Sequence, residues 1–179
     1  MMLRYFALAA FLVCGAAPAA PPAHGATPAA RRATAPGGIQ DPVAYVRNVY
    51  APPAAGGRHA SRADEGPYSA NPNFTPRLRA LFLDDEHYAR GEVGRLEFNP
   101  FTGAQDDQIS QVRVSERPVD GAPDRRVVTA HFHNIDTDQT VVYFFERIGG
   151  RWHIDDILYA SPAGTWTLSL ILRYGYSGQ

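Results

Sequence analysis

The chain has 179 residues, with 17 basic and 18 acidic side chains that leave a formal charge of −1. From Ile39 onward, 14 arginines stand against 18 acidic residues, so this part carries a formal charge of −4. A mildly acidic chain without a basic cluster argues against binding to nucleic acid or to anionic membrane surfaces. Because every basic residue is arginine, the absence of lysine also excludes Schiff-base chemistry.

The N-terminus has the parts of a secretory signal peptide. Arg4 precedes an apolar run over residues 5–17, which is too short to span a bilayer comfortably. Small residues follow the run and offer cleavage after Ala20 or after Ala23. We therefore predict a signal peptide over residues 1–20 and a periplasmic or secreted mature chain without a stable membrane span.

The single cysteine, Cys14, lies inside this apolar run. Lipid attachment at Cys14 is the less favoured alternative, because Val13 stands where a small residue is expected. Ordinary cleavage removes Cys14, so the mature fold must then be stable without disulfide bonds. Residues 21–38 have the Ala- and Pro-rich composition of a disordered tether, which leaves a single domain over residues 39–179.

The domain begins with a predicted helix over residues 42–50. Asp41 is a favourable N-cap, and Pro42 fits the first helical position. A long loop rich in proline and glycine follows over residues 51–66.

A second helix is predicted over residues 76–89, where Thr75 and Pro76 repeat the same start signal and Gly91 ends the helix. The apolar side chains at helical spacing can share one face of it. They are Leu78, Leu81, Phe82 and Tyr88.

From Ile109 the apolar residues recur with a period of two, which predicts strands. Four strand segments are recognised, and they cover residues 109–116, 125–134, 140–148 and 151–160. The last two are joined by Gly149 and Gly150, a pair suited to a two-residue hairpin turn. Residues 165–175 are predicted to form either a short helix or a final strand. We favour the helix, with Thr165 as its cap.

Two helices followed by an antiparallel meander define an α+β fold. The segments "DPVAYVRNVY", "FNPFTGAQD" and "GGRWHIDDILY", followed by "LSLIL", resemble the exported bacterial family called domain of unknown function 3828. That family lies within the nuclear transport factor 2-like superfamily, and the resemblance covers residues 41–173. It implies a cystatin-like cone, with two N-terminal helices packed on a bent antiparallel sheet and a short C-terminal helix. It implies export but no particular reaction.

Strand register predicts which side chains share a face. A turn at Gly149–Gly150 places Asp156 opposite Tyr143 and sends Asp155 to the other face. A turn of about four residues at 135–138 leaves two registers open, and the register with a turn one residue shorter places Thr129 opposite Tyr143. The predicted row of Thr129, Tyr143 and Asp156 then has His131 one step away.

This row is compatible with two roles. Asp156 is a candidate general base with Tyr143 and His131 as catalytic partners, since a carboxylate in an apolar pocket has a raised pKa. The favoured alternative is structural, in which a buried carboxylate accepts hydrogen bonds and anchors a loop. The predicted ligand-binding residues are Thr129, His131, Tyr143, Trp152 and Asp156. The predicted loop anchors are Gln105, Asp106 and Asp155.

The leading functional prediction is a non-enzymatic domain that binds a small molecule or an envelope protein. The alternatives are an isomerase or hydrolase of the superfamily type and an immunity-type protein that blocks a toxin. No cofactor and no metal site is predicted, because His131 and His133 share a face without an evident third ligand. The sequence leaves a homodimer open.

Overall fold

The computed structural model describes residues 37–52, 67–104 and 108–175. The predicted signal peptide, nearly all of the predicted tether and most of the long loop lie outside the described residues. The elements within them are α1 (Pro42–Val49), a single 3₁₀ turn (Tyr68–Ala70), α2 (Pro76–Ala89), β1 (Ile109–Pro118), β2 (Arg125–Asn134), β3 (Thr137–Ile148), β4 (Arg151–Ser161), β5 (Gly164–Thr167) and α3 (Leu168–Tyr174). The α+β class is confirmed.

Both predicted helices start at the predicted caps. The Asp41 carboxylate accepts hydrogen bonds from the amides of Val43 and Ala44, at 2.9 and 3.1 Å. The Thr75 hydroxyl accepts the amide of Leu78 at 3.1 Å. These bonds satisfy amides that have no partner within the first helical turn.

The five strands form one antiparallel sheet in the order β1-β2-β3-β4-β5, so each strand pairs with its neighbours in sequence. The C-terminal segment contains both of the structures that the sequence left open, because β5 runs directly into α3. Thr167, rather than Thr165, occupies the N-cap position of α3, and Gly175 follows the helix with a φ of 78°.

The β2–β3 turn contains two residues rather than the predicted four. Asn134 pairs with Thr137, and Ile135 lies in the turn with a φ of 56°. Compared with the register that places Thr129 opposite Tyr143, each pair is shifted by one residue, and Thr129 faces Val142. The predicted pairing of Thr129 with Tyr143 is wrong.

A β-bulge interrupts the pairing of β3 and β4. The pairs follow the Gly149–Gly150 turn as predicted down to Phe145 and Ile154, but the next pair is Phe144 with Asp156. Asp155 is the extra residue, so Tyr143 faces Ile157 and not Asp156. The predicted pairing of Tyr143 with Asp156 is also wrong.

Two other segments extend the outer edge of β4 where the short strand β5 does not reach. Ile39 exchanges both backbone hydrogen bonds with Trp152, at 2.7 and 2.9 Å. The amide of Thr75 donates to the carbonyl of Ile154 at 2.9 Å, and the amide of Ile154 donates to the carbonyl of Asn73 at 2.8 Å. The start of the domain and the start of α2 are thereby fixed to one strand.

All three helices contribute to one buried cluster on a single face of the sheet. Its largest fully buried side chains are Tyr50, Tyr143, Phe74, Phe101, Phe145, Leu78, Ile154, Ile157, Leu168 and Leu172. Tyr88 does not share the buried face of α2 with Leu78 and Phe82, contrary to the prediction. The residue is 60% exposed, and its ring lies 3.9 Å from the guanidinium of Arg95.

Two leucines of α2 give a matched test of this packing. Leu78 is fully buried, whereas Leu83 is 46% exposed. We expect Leu78→Ala to lower the free energy of unfolding by about 2–5 kcal/mol, since it removes buried methyl groups and leaves a cavity. Leu83→Ala should change it by less than about 0.5 kcal/mol. Urea unfolding measures both, and equal effects would contradict the assigned orientation of α2.

Candidate functional site

Tyr143 lies in the core and not on the predicted polar row. Its hydroxyl and that of Tyr50 are hydrogen-bonded to each other at 2.7 Å, and both contact the carbonyl of Phe101, at 3.3 and 2.7 Å. Complete burial, opposed in part by the bond to Tyr50, raises the pKa of Tyr143 far above its ordinary value. Tyr143 is therefore a neutral hydrogen-bonding group in the core.

The tyrosines hold the loop that the sequence assigned to carboxylate anchors. Tyr159 donates its hydroxyl to the carbonyl of Pro100, next to the carbonyl that Tyr50 and Tyr143 contact. Gly103 of the same loop lies close to the Tyr159 ring, where an added Cβ would stand 3.0 Å from Cδ1. The predicted anchors Gln105 and Asp106 lie outside the described residues. The side chains that hold this loop are Tyr50, Tyr143 and Tyr159. They are far apart in the sequence, so no local sequence pattern identifies them as a group.

Asp155 is an anchor, but for α2 instead of that loop. Its Oδ1 accepts hydrogen bonds from the Thr75 hydroxyl and from Nε of Arg77, both at 3.0 Å. Arg77 also donates to the Asp155 carbonyl, and Nη1 of Arg125 lies 3.2 Å from Oδ2. Burial acts to raise the pKa of Asp155, but these hydrogen bonds and the two guanidinium charges outweigh it and lower the pKa.

Asp156 holds the start of α3. Its Oδ1 accepts the amide of Ser169 at 3.0 Å, and its Oδ2 accepts the Ser169 hydroxyl at 2.5 Å. The amide of Ile157 donates to the same Oδ1 at 2.9 Å, and Arg77 lies 3.7 Å from Oδ2. Asp156 thus replaces the missing side-chain cap of α3, whose own N-cap residue, Thr167, makes no such bond.

The two aspartates lie on the same side of β4, contrary to the prediction that they point to opposite faces. Both contact Arg77 and both line the groove described below. The bulge is the reason, because the extra residue breaks the alternation that a regular strand imposes. We call these two carboxylates, with Arg77, Thr75 and Ser169, the acidic clamp.

The remaining predicted ligand-binding residues are dispersed. Trp152 is buried in the core beside Ile39, with the Arg126 guanidinium 4.9 Å from its ring. Thr129 and His131 lie on the opposite face of the sheet from the core, which we call the outer face. His131 is exposed there, and Nδ1 of its ring is hydrogen-bonded to the Thr140 hydroxyl at 2.8 Å. The structure therefore does not bring Asp156, Tyr143 and His131 together.

A groove of about 530 Å³ crosses the outer face near the acidic clamp. Apolar side chains of three neighbouring strands, Val127, Phe144 and Leu158, form its floor. Phe144 and Leu158 remain partly exposed. The two aspartates bound it at one side, and Arg117 of the edge strand β1 bounds it at another.

The arginines around this groove differ in their partners. Arg125 lies between Asp155 and Glu146, at 3.2 and 3.4 Å, so its charge is already balanced. Arg117 is exposed and has no hydrogen bond or ion pair within the part of the chain that the structure describes. Arg126 also lines the groove, but its guanidinium is paired with Glu116 at 2.5 Å. Among the described residues, the groove thus combines an apolar floor with the one uncommitted positive charge of Arg117.

No protein-family model, no curated protein and no solved structure matches this chain. The resemblance to the domain of unknown function 3828 family stays a prediction that rests on its sequence segments. In the described residues, no helix combines the length and the apolar character that crossing a membrane requires.

Asp155 should make stability depend on pH. Its pKa is below the ordinary value of 3.8 in the folded protein, so the interactions of the Asp155 carboxylate contribute fully above that value and are lost as the pH falls through the folded pKa. We expect Asp155→Asn to destabilise the protein most above about pH 5, with the difference from the parent shrinking below pH 4. Chemical unfolding from pH 7 to pH 2.5 measures this. Asp120→Asn, at an exposed turn position, is the control, and a constant difference for Asp155→Asn would contradict the assignment.

The bond between Asp156 and Ser169 should appear as energetic coupling. Asp156→Ala and Ser169→Ala both remove the bond from the Ser169 hydroxyl to the carboxylate, so their effects on unfolding should not add, with a coupling of about 0.5–3 kcal/mol. Ser161→Ala is the matched control and should be additive with Asp156→Ala, because the Ser161 hydroxyl accepts the amide of Ala163 at 3.2 Å and does not contact Asp156. Additivity of Asp156→Ala with Ser169→Ala in a urea double-mutant cycle would show that the bond from the Ser169 hydroxyl to Asp156 does not stabilise the protein.

Proposed function

We propose that this chain is a periplasmic or secreted, non-enzymatic binding domain. Its fold would be the cystatin-like cone of the domain of unknown function 3828 family, with α1 and α2 packed on one face of a bent sheet. The N-terminal sequence supports export. The order of elements and the three quoted sequence segments support the family, and the groove on the outer face supports binding.

The observation that carries the proposal is the combination of an apolar floor and an unpaired guanidinium in one groove. Small-molecule sites commonly occupy roughly 300–1,000 Å³ and are mostly apolar, with a few polar groups that orient the ligand. The groove of about 530 Å³ falls within that range. Phe144 and Leu158 would contact an apolar body, and Arg117 would receive one anionic group.

Arg117 is the residue that would select an anion. A guanidinium offers planar, paired donors that match a carboxylate, and bonds between charged groups are stronger than neutral ones. Arg125 is less available because Asp155 and Glu146 already occupy it. The ligand class is therefore a small amphipathic anion, such as a medium-chain carboxylate.

Binding is favoured over catalysis because the carboxylates beside the groove have structural partners. Asp155 accepts bonds from Thr75 and Arg77, and Asp156 accepts bonds from Ser169. A general base needs a free acceptor within hydrogen-bond reach of the substrate. Tyr143, the other candidate catalytic group, lies in the core and away from the groove.

Calorimetric titration of the purified chain with decanoate and with decanol tests the proposal. We expect decanoate to bind and Arg117→Gln to weaken it roughly 10- to 100-fold, the equivalent of roughly 1.5–3 kcal/mol for a bond to a charged group. Binding of the neutral decanol should be nearly the same in both proteins.

Arg113→Gln is the matched control, since Arg113 is an exposed arginine of the same strand that does not line this groove. It should leave the affinity for decanoate unchanged. No binding of decanoate, or equal losses in the Arg117 and Arg113 variants, would contradict the proposed site.

A further inference from the structure

A histidine pair occupies the opposite end of the outer face from the acidic clamp. His131 and His133 lie two residues apart near the end of β2, next to the β2–β3 turn. Both line a second groove, of about 520 Å³, together with Arg113, Asp138 and Thr140. This pair is separate from the groove to which we assign ligand binding.

Each ring is held through its Nδ1 atom. His133 Nδ1 lies 3.0 Å from Oδ1 of Asp138, its partner across the strand pair, and His131 Nδ1 lies 2.8 Å from the hydroxyl of Thr140, its own partner. A carboxylate can only accept, so in neutral His133 the proton is on Nδ1 and the lone pair is on Nε2. Neither Nε2 has a hydrogen-bond partner in the described part of the chain.

This arrangement resembles the surroundings of metal-bound histidines. A ligating histidine usually donates its other ring N–H to a carboxylate or a similar acceptor, which fixes the tautomer and orients the ring. Side chains two residues apart on a strand leave the same face, with Cα atoms roughly 6.7 Å apart. Two imidazole rings at this spacing can lean toward one ion placed between them.

We propose that His131 and His133 bind a divalent transition-metal ion through their Nε2 atoms. Imidazole nitrogen suits Cu²⁺ and Zn²⁺, and the general order of affinities places Cu²⁺ first. In the described residues, no group of three or more His, Cys, Asp or Glu side chains is arranged to hold a metal ion. Water therefore completes the coordination, and the ion is exchangeable and open to a further ligand.

Two charged side chains near the histidine pair should affect its affinity for a metal ion. Asp138 orients His133 and adds negative charge, which favours the cation. Arg113 pairs with His131 across β1 and β2 and lines the same groove, so its positive charge opposes the cation. Removal of these two charges is expected to change the metal affinity in opposite directions.

Calorimetric titration of the full chain with CuCl₂ and ZnCl₂, with MgCl₂ as the hard-cation control, tests this inference. We expect one Cu²⁺ per chain, weaker Zn²⁺ binding and no Mg²⁺ binding. His131→Ala and His133→Ala should each lower the Cu²⁺ affinity at least tenfold. His153→Ala should not, because the His153 ring Nδ1 contacts the carbonyl of Pro72 at another site.

The charge variants and a spectroscopic signal separate this site from incidental binding by other histidines. Asp138→Asn should weaken Cu²⁺ binding about tenfold or more, as loss of an orienting group does, and Arg113→Gln should strengthen it. Electron paramagnetic resonance of the Cu²⁺ form should show coupling to two nitrogens. Unchanged affinity in both histidine variants would overturn the proposal, provided that their melting temperatures without metal match the parent.

Discussion

A single extra residue in β4, Asp155, is the feature on which the positions of α2 and α3 depend. In a regular strand, Asp155 and Asp156 would point to opposite faces and could not share a partner. The bulge places both carboxylates beside Arg77, at the start of α2. From there Asp155 binds Thr75 of the α2 cap, and Asp156 binds Ser169 at the start of α3. This one bulge in the sheet thus fixes where the N-termini of α2 and α3 lie.

The same irregularity decides what the outer face can do chemically. Its carboxylates are bound to Arg77, Thr75 and Ser169, so the groove beside them offers apolar contact and the charge of Arg117 rather than a free base. The histidines lie at the far end of the face, next to the β2–β3 turn. The outer face therefore carries an apolar groove beside Arg117 at one end and a pair of histidines at the other. Neither includes the tyrosines that are buried on the opposite face.

Local signals in the sequence predicted the local structure well. Asp41 and Thr75, each followed by proline, located both helix starts, and the period of two located four strands. The pairing register between neighbouring strands depended on two residues whose backbone geometry departs from the usual pattern. Ile135 has a positive φ, which β-branched side chains rarely adopt, and so permits a two-residue turn that moves each residue of β2 by one position from its predicted partner in β3. Asp155 adds the bulge, and no rule of alternation reveals where a bulge falls. Because each change shifts the pairing by one residue, the predicted polar row did not form even though its strands did.

The segments that pair with the edge of β4 limit how copies of this chain could associate edge to edge. A sheet can propagate into a fibre only if it offers an open edge on each side. Here one side is occupied by β5, by residues 73–75 and by Ile39, so within the described residues the long open edge is that of β1. That edge carries arginines, an irregular register near Gln111 and a terminal proline, all of which hinder strand addition. If two copies did join through β1, the edges left within the described residues would be those of the four-residue strand β5 and of the short added segments, and short edges are poor templates for further strand addition.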